Sequence, residues 1–456
     1  MAKYKAYSEY KDSGVEWLQT LPARWSTVPL KFLCTCNDQV ISDSTDKDYE
    51  IEYVDIGSVS SSLGITTTEN MSFSKAPSRA RRLVKDGDII ISTVRTYLEA
   101  IAPIIKPPAN MVVSTGFAVI RPSSNLDNRF ASYCLRASGF IKEVVSRSVG
   151  ISYPAINSSD LVNIPIPNCT LHEQLNIATF LDHETAKIDN LIEKQQQLIE
   201  LLNEKRHAVI SHVVTKGLNP DVPMKDSGVE WLGEVPEHWS YTRIKYVSLL
   251  NPSKSKLTYD NINECTFLPM EKLKNNSVIT DENRLIKDVI NGYTYFKDGD
   301  LLVAKVTPCF ENKNIAIAKN LTNAIGFGSS EIYVIRTNKY IDVDYLLYRL
   351  QENNFMCAAT GAMIGAGGLK RIPSDFLLNY QIVIPPKNEM KQISEYLINQ
   401  ENQYNALENQ AIIGIQLLQE RRTALISAAV TGKIDVRNWV APGEQAKAES
   451  PAEAFA

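Results

Sequence analysis

The 456-residue chain contains no uninterrupted run of about eighteen apolar residues, the length that a membrane-spanning helix needs. Its first residues, MAKYKAYSEYKDSG, also lack the apolar stretch of a signal peptide. Cysteine is scarce: there are seven, an odd number scattered along the chain, which argues against a disulfide framework and is typical of a reducing compartment. We therefore expect a cytoplasmic protein.

Motifs for catalysis are also missing. The glycine-rich segment GAMIGAGGLK lacks the Lys-Ser/Thr ending of a phosphate-binding loop, so ATP hydrolysis is not expected. The sequence contains no His-Glu-x-x-His zinc motif and no Asp/Asn-Pro-Pro-aromatic segment of the kind that amino-methylating enzymes use. It also has no Gly-x-Gly-x-x-Gly loop for an adenosine cofactor. We predict no catalytic residue, no metal and no cofactor.

Positive charge is not in excess. The chain has 48 basic and 52 acidic side chains and a net charge of -4. Binding to nucleic acid is driven largely by cationic side chains, so strong binding by this chain alone is not expected. Local basic faces are still compatible with this balance, and a partner subunit can supply further positive surface.

The dominant feature of the sequence is an internal duplication. The octapeptide KDSGVEWL occurs at residues 11–18 and again at 225–232, and each copy is followed by a proline and a tryptophan. Further along, KDGDIIISTVR at 85–95 matches KDGDLLVAKVT at 297–307. One structural unit is therefore encoded twice. The recurring tryptophans are interpreted as core anchors rather than as base-stacking residues. They are Trp17, Trp25, Trp231 and Trp239.

An Asp-Gly turn lies in the second matching segment of each copy. The turn and the β-branched residues after it predict a hairpin turn that leads into a buried strand. The acidic pairs in these turns resemble those of a metal-dependent nuclease, but a turn before a strand explains them better, and we assign them no catalytic role. The pairs are Asp86 with Asp88 and Asp298 with Asp300.

Each copy ends in a long proline-free segment with helical periodicity, residues 171–215 and 387–431. Apolar residues recur every seven positions, which is typical of a coiled coil. They are Leu181, Ile188, Leu202 and Val209 in the first segment, where Gln195 is the one polar member of the row, and Leu397, Tyr404, Ala411, Leu418 and Leu425 in the second. A neighbouring row contains Ile177, Leu191, Leu198, Ile393 and Leu407. Each helix could instead pack on its own domain, but a length of roughly 66 Å favours partner helices, most simply each other.

The sequence thus predicts a mixed α/β (α+β) fold with two duplicated globular domains separated by two long antiparallel coiled-coil helices. A final segment rich in Ala, Glu, Pro and Gly is expected to be disordered. The predicted boundaries are 1–168 for the first domain, 169–216 for the first helix, 217–386 for the second domain, 387–434 for the second helix and 435–456 for the tail.

The KDSGVEWL opening followed by Pro and Trp, the two-fold repeat and the proline-exit helices resemble the specificity subunits of type I restriction-modification systems. The resemblance covers nearly the whole chain. It implies a non-catalytic subunit that reads double-stranded DNA with two target-recognition domains and therefore selects a bipartite, asymmetric target. It also implies that two modification subunits, which methylate adenine, and ATP-dependent restriction subunits assemble with the chain.

The first copy of the opening departs slightly from the second. Gln19 stands where the second copy has Gly233, and Ala23-Arg24 stands where the second has Glu237-His238. We therefore expect a different local turn at this point.

The candidate DNA contacts are mostly basic and aromatic residues, and most of them lie outside the segments that the two copies share. In the first domain the densest group is Lys75, Arg79, Arg81, Arg82 and Lys85, for which a solvated helix face is the open alternative. Weaker candidates in that domain are Arg95, Tyr97, Ser148 and Tyr153. In the second domain the candidates are Lys305, Lys313, Lys370 and Arg371, the last two beside a glycine-rich loop that could approach phosphate, with ordinary surface residues as the alternative.

Two other classes of protein remain open from the sequence. A stand-alone DNA-binding regulator with duplicated readers should bind DNA tightly by itself, which the net charge of -4 disfavours. A coiled-coil adaptor that binds no nucleic acid has no need of two differing globular domains. The specificity-subunit hypothesis therefore explains the most features.

Overall fold

The computed structural model describes residues 4–60, 63–229, 232–255, 257, 263–366 and 368–440. These residues form two compact units. The first unit contains the described residues up to Gln195 and from Ile412 onward, and the second contains residues 196–411. Each unit therefore includes a part of both long helices.

Two four-stranded sheets form the globular part of the first unit. The first sheet is entirely antiparallel, and the central pair of the second sheet is parallel. The strand order is Ile101–Pro103, Ile89–Ser92, Phe117–Pro122, Cys34–Cys36 in the first sheet and Glu69–Ser72, Glu50–Val54, Met111–Ser114, Ala80–Leu83 in the second. Two-stranded pairs join Tyr10–Asp12 to Thr20–Pro22, Ser26–Pro29 to Pro165–Asn168, and Val59–Ser60 to Gly64–Ile65.

The strand Ile89–Ser92 is covered on both faces because its side chains alternate between two cores. Ile89 and Ile91 belong to the core formed with the helices, whereas Ile90 belongs to a core that also contains Val113 of the second sheet. A strand buried on both faces explains its continuous β-branched run.

Short helices complete the first unit. The carboxylate of Asp127 accepts hydrogen bonds from the backbone N–H groups of Arg129 and Phe130 and so caps the first of the α-helices. The α-helices are Asn128–Leu135, Ser138–Ser146 and Ser158–Val162, and the 3-10 helices are Leu30–Phe32, Ile56–Ser58, Phe73–Lys75 and Thr96–Leu98.

The second unit repeats the order of both sheets. The first sheet is Ile315–Ile317, Leu301–Ala304, Ile332–Thr337, Ser248–Leu250, and the second is Asn283–Leu285, Glu264–Leu268, Ile325–Gly328, Thr294–Lys297. Two-stranded pairs join Met224–Asp226 to Glu234–Pro236, Ser240–Arg243 to Gln381–Ile384, Leu273–Lys274 to Ser277–Val278, and Ile364–Ala366 to Leu369–Arg371. The helices are Ile244–Val247, Met270–Lys272, Ile286–Val289, Thr322–Ala324, Val343–Gln351, Asn353–Gly361 and Ser374–Asn379. The predicted duplication of a mixed α/β domain is confirmed.

The two Asp-Gly turns lead into fully buried strands as predicted, but the hairpin prediction is wrong. Gly87 and Gly299 both have a φ of +86°, which glycine adopts without strain. In the first unit the turn connects strand Ala80–Leu83 of one sheet to strand Ile89–Ser92 of the other. The two strands cannot pair because Ile89–Ser92 already has a bonded partner along each edge, Ile101–Pro103 on one and Phe117–Pro122 on the other.

The long helices span Leu171–Lys216 and Lys387–Val430. In the first unit Arg422 Nε donates to Asp189 at 2.9 Å, and the part of the first helix before residue 195 shares a core with the end of the second. In the second unit the guanidinium of Arg206 lies 3.5 Å from Glu401 and 2.9 Å from Glu408. The helix segments are antiparallel within each unit, as predicted, and both also pack on the globular part of that unit. In the described part of the chain, no helix combines the length and apolarity needed to cross a membrane.

The seven-residue pattern is confirmed along its main row, whereas the neighbouring row is buried at Ile177 and Ile393 and exposed at its other three positions. Buried positions in the main row include Leu181, Ile188, Leu397, Tyr404, Ala411 and Leu425. In the neighbouring row Leu191, Leu198 and Leu407 are 48%, 42% and 47% exposed. A pair of helices buries one narrow stripe on each, so the middle of the second row remains exposed.

The opening motif has the same turn in both copies, so the expected difference at Gln19 is wrong. Gln19 has a φ of +56° and Gly233 a φ of +63°. In each copy the backbone N–H of this residue donates to the carbonyl four residues earlier, at 2.9 Å and 3.1 Å. Gln19 therefore adopts a left-handed conformation that glycine adopts at lower cost.

The tryptophan prediction is confirmed where it can be tested. Trp25 and Trp239 are each 1% exposed, and the indole N–H of the partly buried Trp17 donates to the carbonyl of Pro165 at 3.0 Å. Trp231 lies outside the described residues.

The first residues of the predicted tail are packed against the first unit. The N–H of Asp435 donates to the carbonyl of Lys5, and Arg437 lies over the ring of Tyr7. Trp439 contacts the ring of Phe180 edge-on, with ring centroids 5.3 Å apart. Residues 441–456 of the predicted tail lie outside the described residues.

Candidate nucleic-acid interface

The densest basic cluster of the first unit lies on and beside the edge strand Ala80–Leu83. This segment is a strand, so the alternative of a solvated helix face is wrong. Arg79 Nη2 lies 2.8 Å from Asp55, and Arg81 lies 3.4 Å from Asp43. Lys75 and Lys85 are exposed. Two of the five cations are therefore already paired with carboxylates at the surface.

Arg82 does not belong to the exposed part of this cluster. Side chains alternate along a strand, so Arg82 points away from the side taken by its neighbour Arg81. Its Nη2 donates to the carbonyl of Thr115 at 3.4 Å, while Nε and Nη1 are buried and find no acceptor among the described residues. Burial lowers the pKa of the Arg82 guanidinium, which Cys36 partly offsets. Its inward position argues against a contact with DNA.

The weaker candidates of the first unit come together on one surface. The loop after strand Ile89–Ser92 meets residues 148–156: Ile156 N–H donates to the carbonyl of Thr93, and the hydroxyls of Ser148 and Thr96 lie 2.8 Å apart. The guanidinium of Arg95 lies over the ring of Tyr153 at 4.8 Å. We call this surface, which contains Arg95, Tyr97, Ser148 and Tyr153, the first loop surface.

The first loop surface combines cationic, aromatic and aliphatic groups in solvent. Tyr97 is 54% exposed and Tyr153 is 64% exposed. Three aliphatic residues beside them, Leu98, Val149 and Ile151, are also exposed and were not selected by reasoning from the sequence. Cations suit phosphates, and aromatic and aliphatic groups suit base faces and the thymine methyl group. The surface thus has the composition of a base-reading interface.

The equivalent loops of the second unit also meet. Ile372 N–H donates to the carbonyl of Lys305, and the N–H of Thr307 donates to the carbonyl of Lys370. Arg371 binds the carboxylate of Glu331, with Nη2 2.5 Å from Oε1. We call this surface, which contains Lys305, Glu331, Lys370 and Arg371, the second loop surface.

The glycine-rich segment beside Lys370 forms a hairpin of strands Ile364–Ala366 and Leu369–Arg371. Gly365 has a φ of +153°, and a Cβ atom there would lie 2.2 Å from the carbonyl oxygen of Leu369. Packing within the hairpin therefore accounts for this glycine. Ile364 is 71% exposed and Leu369 is 46% exposed, so the hairpin presents apolar as well as basic groups.

Lys313 does not lie with the other candidates of the second unit. Its Nζ is buried and has no hydrogen-bond partner among the described residues, and its backbone φ is +55°. Burial lowers the pKa of the Lys313 ammonium, and nearby Cys357 and Glu352 oppose this effect. An inward ammonium in this position is not available to a phosphate.

Glu331 is the residue that reasoning from the sequence missed. Glu331 occupies the position in the second unit that Gly116 occupies in the first. In the second unit the backbone N–H of Lys305 donates to the carbonyl of Glu331, and in the first unit the backbone N–H of Thr93 donates to the carbonyl of Gly116. Gly116 directly precedes the segment FAVIR at 117–121, and Glu331 directly precedes the similar segment IYVIR at 332–336. A residue-by-residue comparison of the two copies would have revealed it.

The acidic residues of the Asp-Gly turns are structural. The Arg121 guanidinium donates to both oxygens of Asp88 at 2.8 and 2.7 Å, and Arg336 donates to both oxygens of Asp300 at 2.7 Å. Each aspartate is 1% exposed and also accepts a backbone N–H from the start of its own turn. These contacts occupy the carboxylates, in agreement with the prediction of a turn rather than a metal site.

Comparison with known proteins agrees with this fold. Residues 22–201 match the family model described as the type I restriction modification DNA specificity domain. The chain is 33% identical to the EcoAI specificity subunit of Escherichia coli over 190 residues, which are 41% of this chain and 32% of that subunit. It is 26% identical to the MjaVIII specificity subunit of Methanocaldococcus jannaschii over 320 residues, covering 69% of this chain and 72% of the relative.

Solved structures share the fold. A chain from a structural study of complex assembly and conformational transition of the type I restriction-modification system aligns with a TM-score of 0.65 and 21% identity, covering 91% of this chain and 99% of that one. The HsdS subunit of Thermoanaerobacter tengcongensis aligns with a TM-score of 0.52 and 21% identity, covering 91% and 98%.

The family match identifies a DNA specificity domain in residues 22–201, and the second unit repeats the sheet order of the first. The chain is similar to the specificity subunits of type I restriction-modification systems. The matches to the EcoAI and EcoEI subunits cover only 32% and 35% of those relatives.

Proposed function

We propose that this chain selects the DNA sequence that a type I restriction-modification enzyme methylates. Each unit reads one short half of a split, asymmetric target. The observation that carries the proposal is the contrast between constant topology and variable surface: the sheets repeat in the same order, whereas the first and second loop surfaces differ. Two related readers with different contact residues select two different half-sites.

In this proposal residues 1–168 and 217–386 are the recognition domains, and residues 169–216 and 387–434 are the helices that hold them. The loop surfaces are the first choice for base contacts, because they are exposed and rest on rigid backbone contacts. Lys75, Arg79, Arg81 and Lys85 are better suited to the phosphate backbone.

The chain acts as a non-catalytic subunit in the cytoplasm, and its partners provide the chemistry. We propose that two modification subunits bind one chain and that restriction subunits join through the complex. The exposed apolar residues of the long helices support such docking, since accessible aliphatic side chains on a solvated helix mark a protein interface. They include Leu191, Leu198, Leu201, Leu407, Ile413 and Leu417.

A stand-alone regulator receives no support from these relatives, and the net charge of -4 agrees with a reader that depends on partners. The purified chain should bind DNA weakly and transfer no methyl group.

Reconstitution tests the proposal. The full chain, the modification subunits and both together are each incubated with radiolabelled S-adenosylmethionine and DNA. Methyl transfer only in the combined sample, together with a rise in DNA affinity, is the expected result. Methyl transfer by the chain alone, or equal transfer by the modification subunits without it, would contradict the proposal.

A further inference from the structure

The guanidinium of Arg371 is held along one edge by Glu331. Nε lies 3.1 Å from Oε2 of the carboxylate, and Nη2 lies 2.5 Å from Oε1. Lys305 Nζ lies 3.6 Å from Oε2 of the same carboxylate. The Arg371 side chain remains 47% exposed. A planar cation is thus fixed in orientation at the protein surface.

The contact with Glu331 uses only part of the hydrogen-bonding capacity of Arg371. An arginine has five N–H donors in a rigid fork, and the carboxylate takes the Nε–H and one Nη2–H. The remaining Nη1 and Nη2 donors form the end of the fork. Two parallel donors at that end match the N7 and O6 acceptors that guanine presents in the major groove.

The backbone under Arg371 is fixed as well. Arg371 lies in a hairpin strand and forms an isolated bridge with Val306. On either side, Thr307 N–H donates to the carbonyl of Lys370 and Ile372 N–H donates to the carbonyl of Lys305. An anchored side chain on an anchored backbone loses little conformational entropy on binding, which favours a specific contact.

The same arrangement does not occur in the first unit. The bridge that pairs Val306 with Arg371 corresponds to the bridge that pairs Val94 with Ala155. In the first unit Ala155 stands in place of Arg371 and Gly116 stands in place of Glu331, so both partners of the ion pair are replaced. The ion pair is therefore a property of the second loop surface and not of the shared scaffold.

We propose that Arg371 reads a guanine in the half-site bound by the second unit and that Glu331 is the positioning residue that orients its guanidinium. This inference rests on the proposed function and adds a base identity to it.

The test is methylome sequencing of a host without other adenine methylation that expresses the modification subunits with the full chain or its variants. The variants are R371A, R371K and E331A. The control is R284A, because Arg284 forms an ion pair with Glu282 in the same unit. The two ion pairs are similarly exposed: the side chains of Arg284 and Glu282 are 43% and 32% exposed, and those of Arg371 and Glu331 are 47% and 30% exposed. The half-site of the second unit is identified separately by replacing residues 217–386 with those of a relative.

With the wild-type chain we expect a guanine in that half-site. R371A should reduce discrimination at this one position by roughly 10- to 100-fold, the range for loss of a bidentate contact, and leave the other half-site unchanged. R371K should not restore discrimination, since an ammonium cannot form the paired contact. E331A should reduce discrimination at the same position by a smaller factor, which a merely structural role would not do, and R284A should change nothing.

An unchanged motif in R371A, full guanine selection in R371K, or relaxation in the other half-site overturns the inference. Equal relaxation by R284A also overturns it. If R371A does not assemble, R371K decides the question alone. Failure of the proposed function is a different outcome, in which the wild-type chain directs methylation to no bipartite motif.

Discussion

The guanidinium of Arg349 lies 3.5 Å from the carboxylate of Glu352, and neither side chain has any exposed surface. Glu352 also accepts hydrogen bonds from the N–H groups of Asn354 and Phe355 at the start of a helix. The three guanidinium nitrogens of Arg349 have no hydrogen-bond acceptor among the described residues. In the first unit the equivalent residues are Cys134 and Ala137, both buried. One copy of the fold therefore buries an ion pair where the other buries apolar groups.

We expect the single variants R349M and E352Q each to lower the free energy of unfolding by about 3–5 kcal/mol, because each leaves one buried charge without its partner. The double variant R349M/E352Q should be more stable than either single variant, since it leaves no buried charge. Scanning calorimetry of the full chain measures all three. A double variant destabilised by the sum of the two single losses would show that the residues contribute independently.

Gln19 offers a stabilising substitution. Its side chain is exposed and its φ is +56°, so Q19G should raise the free energy of unfolding by about 1 kcal/mol as the left-handed strain is relieved. Urea denaturation of the full chain measures the change. The reciprocal variant G233Q is the matched comparison and should be destabilising by a similar amount; a loss of stability in Q19G would contradict the strain argument.

His207 predicts a pH dependence of stability. Burial lowers its pKa below 6.5, and nearby Lys313 and Arg206 add to this effect. As the pH falls through 6.5, the unfolded chain takes up a proton at this position before the folded chain does, so stability is lost toward acid pH. In H207Q the loss of stability below pH 6.5 should be shallower. Unfolding at several pH values measures the slope of the free energy of unfolding against pH. The control is H172Q, because His172 lies at an exposed position of the same helix. An identical slope in H207Q and wild type would rule out this contribution.

The stack of Arg95 on Tyr153 predicts how the first unit reads its half-site. No carboxylate among the described residues pairs with Arg95, so the ring of Tyr153 is what orients its guanidinium. R95A should remove about 1–3 kcal/mol of discrimination at one base position of the first half-site. Y153L should relax the same position, whereas Y153F keeps the ring and should keep the motif. The assay is methylome sequencing of the assembled enzyme, and relaxation by Y153F equal to that by Y153L would remove the stacking argument.

Much of the fold could be predicted because the features that determine it are periodic or repeated. The heptad positions Leu397 and Tyr404 are buried as expected, and the matched Asp-Gly segments both enter buried strands. Whether a turn joins strands of one sheet or of two depends on distant pairing, which is why the hairpin prediction failed. The middle of the second apolar row failed for a related reason, because Leu191 repeats with the correct period but lies beyond the stripe that one partner helix covers.

The candidate interface was predicted less well than the fold. Composition identifies basic residues but not their direction, so Arg82 and Lys313 were selected although both point inward. Arg95 and Tyr153 are 58 positions apart and meet only because two loops bond to each other. Glu331 is acidic and was not considered, yet its contact with Arg371 is the feature that gives the second loop surface its specific chemistry.

Exchange of the first reader tests the central claim most directly. Residues 11–168 are replaced with the corresponding domain of a relative, and all methylated adenines are mapped in a host that carries the modification subunits with no chain, the wild-type chain or the exchanged chain. The account predicts no motif without the chain, a bipartite motif with the wild-type chain, and a motif with one new and one unchanged half-site with the exchanged chain. A change in both half-sites, or in neither, with an assembled and active enzyme would contradict the account of two independent readers on one chain.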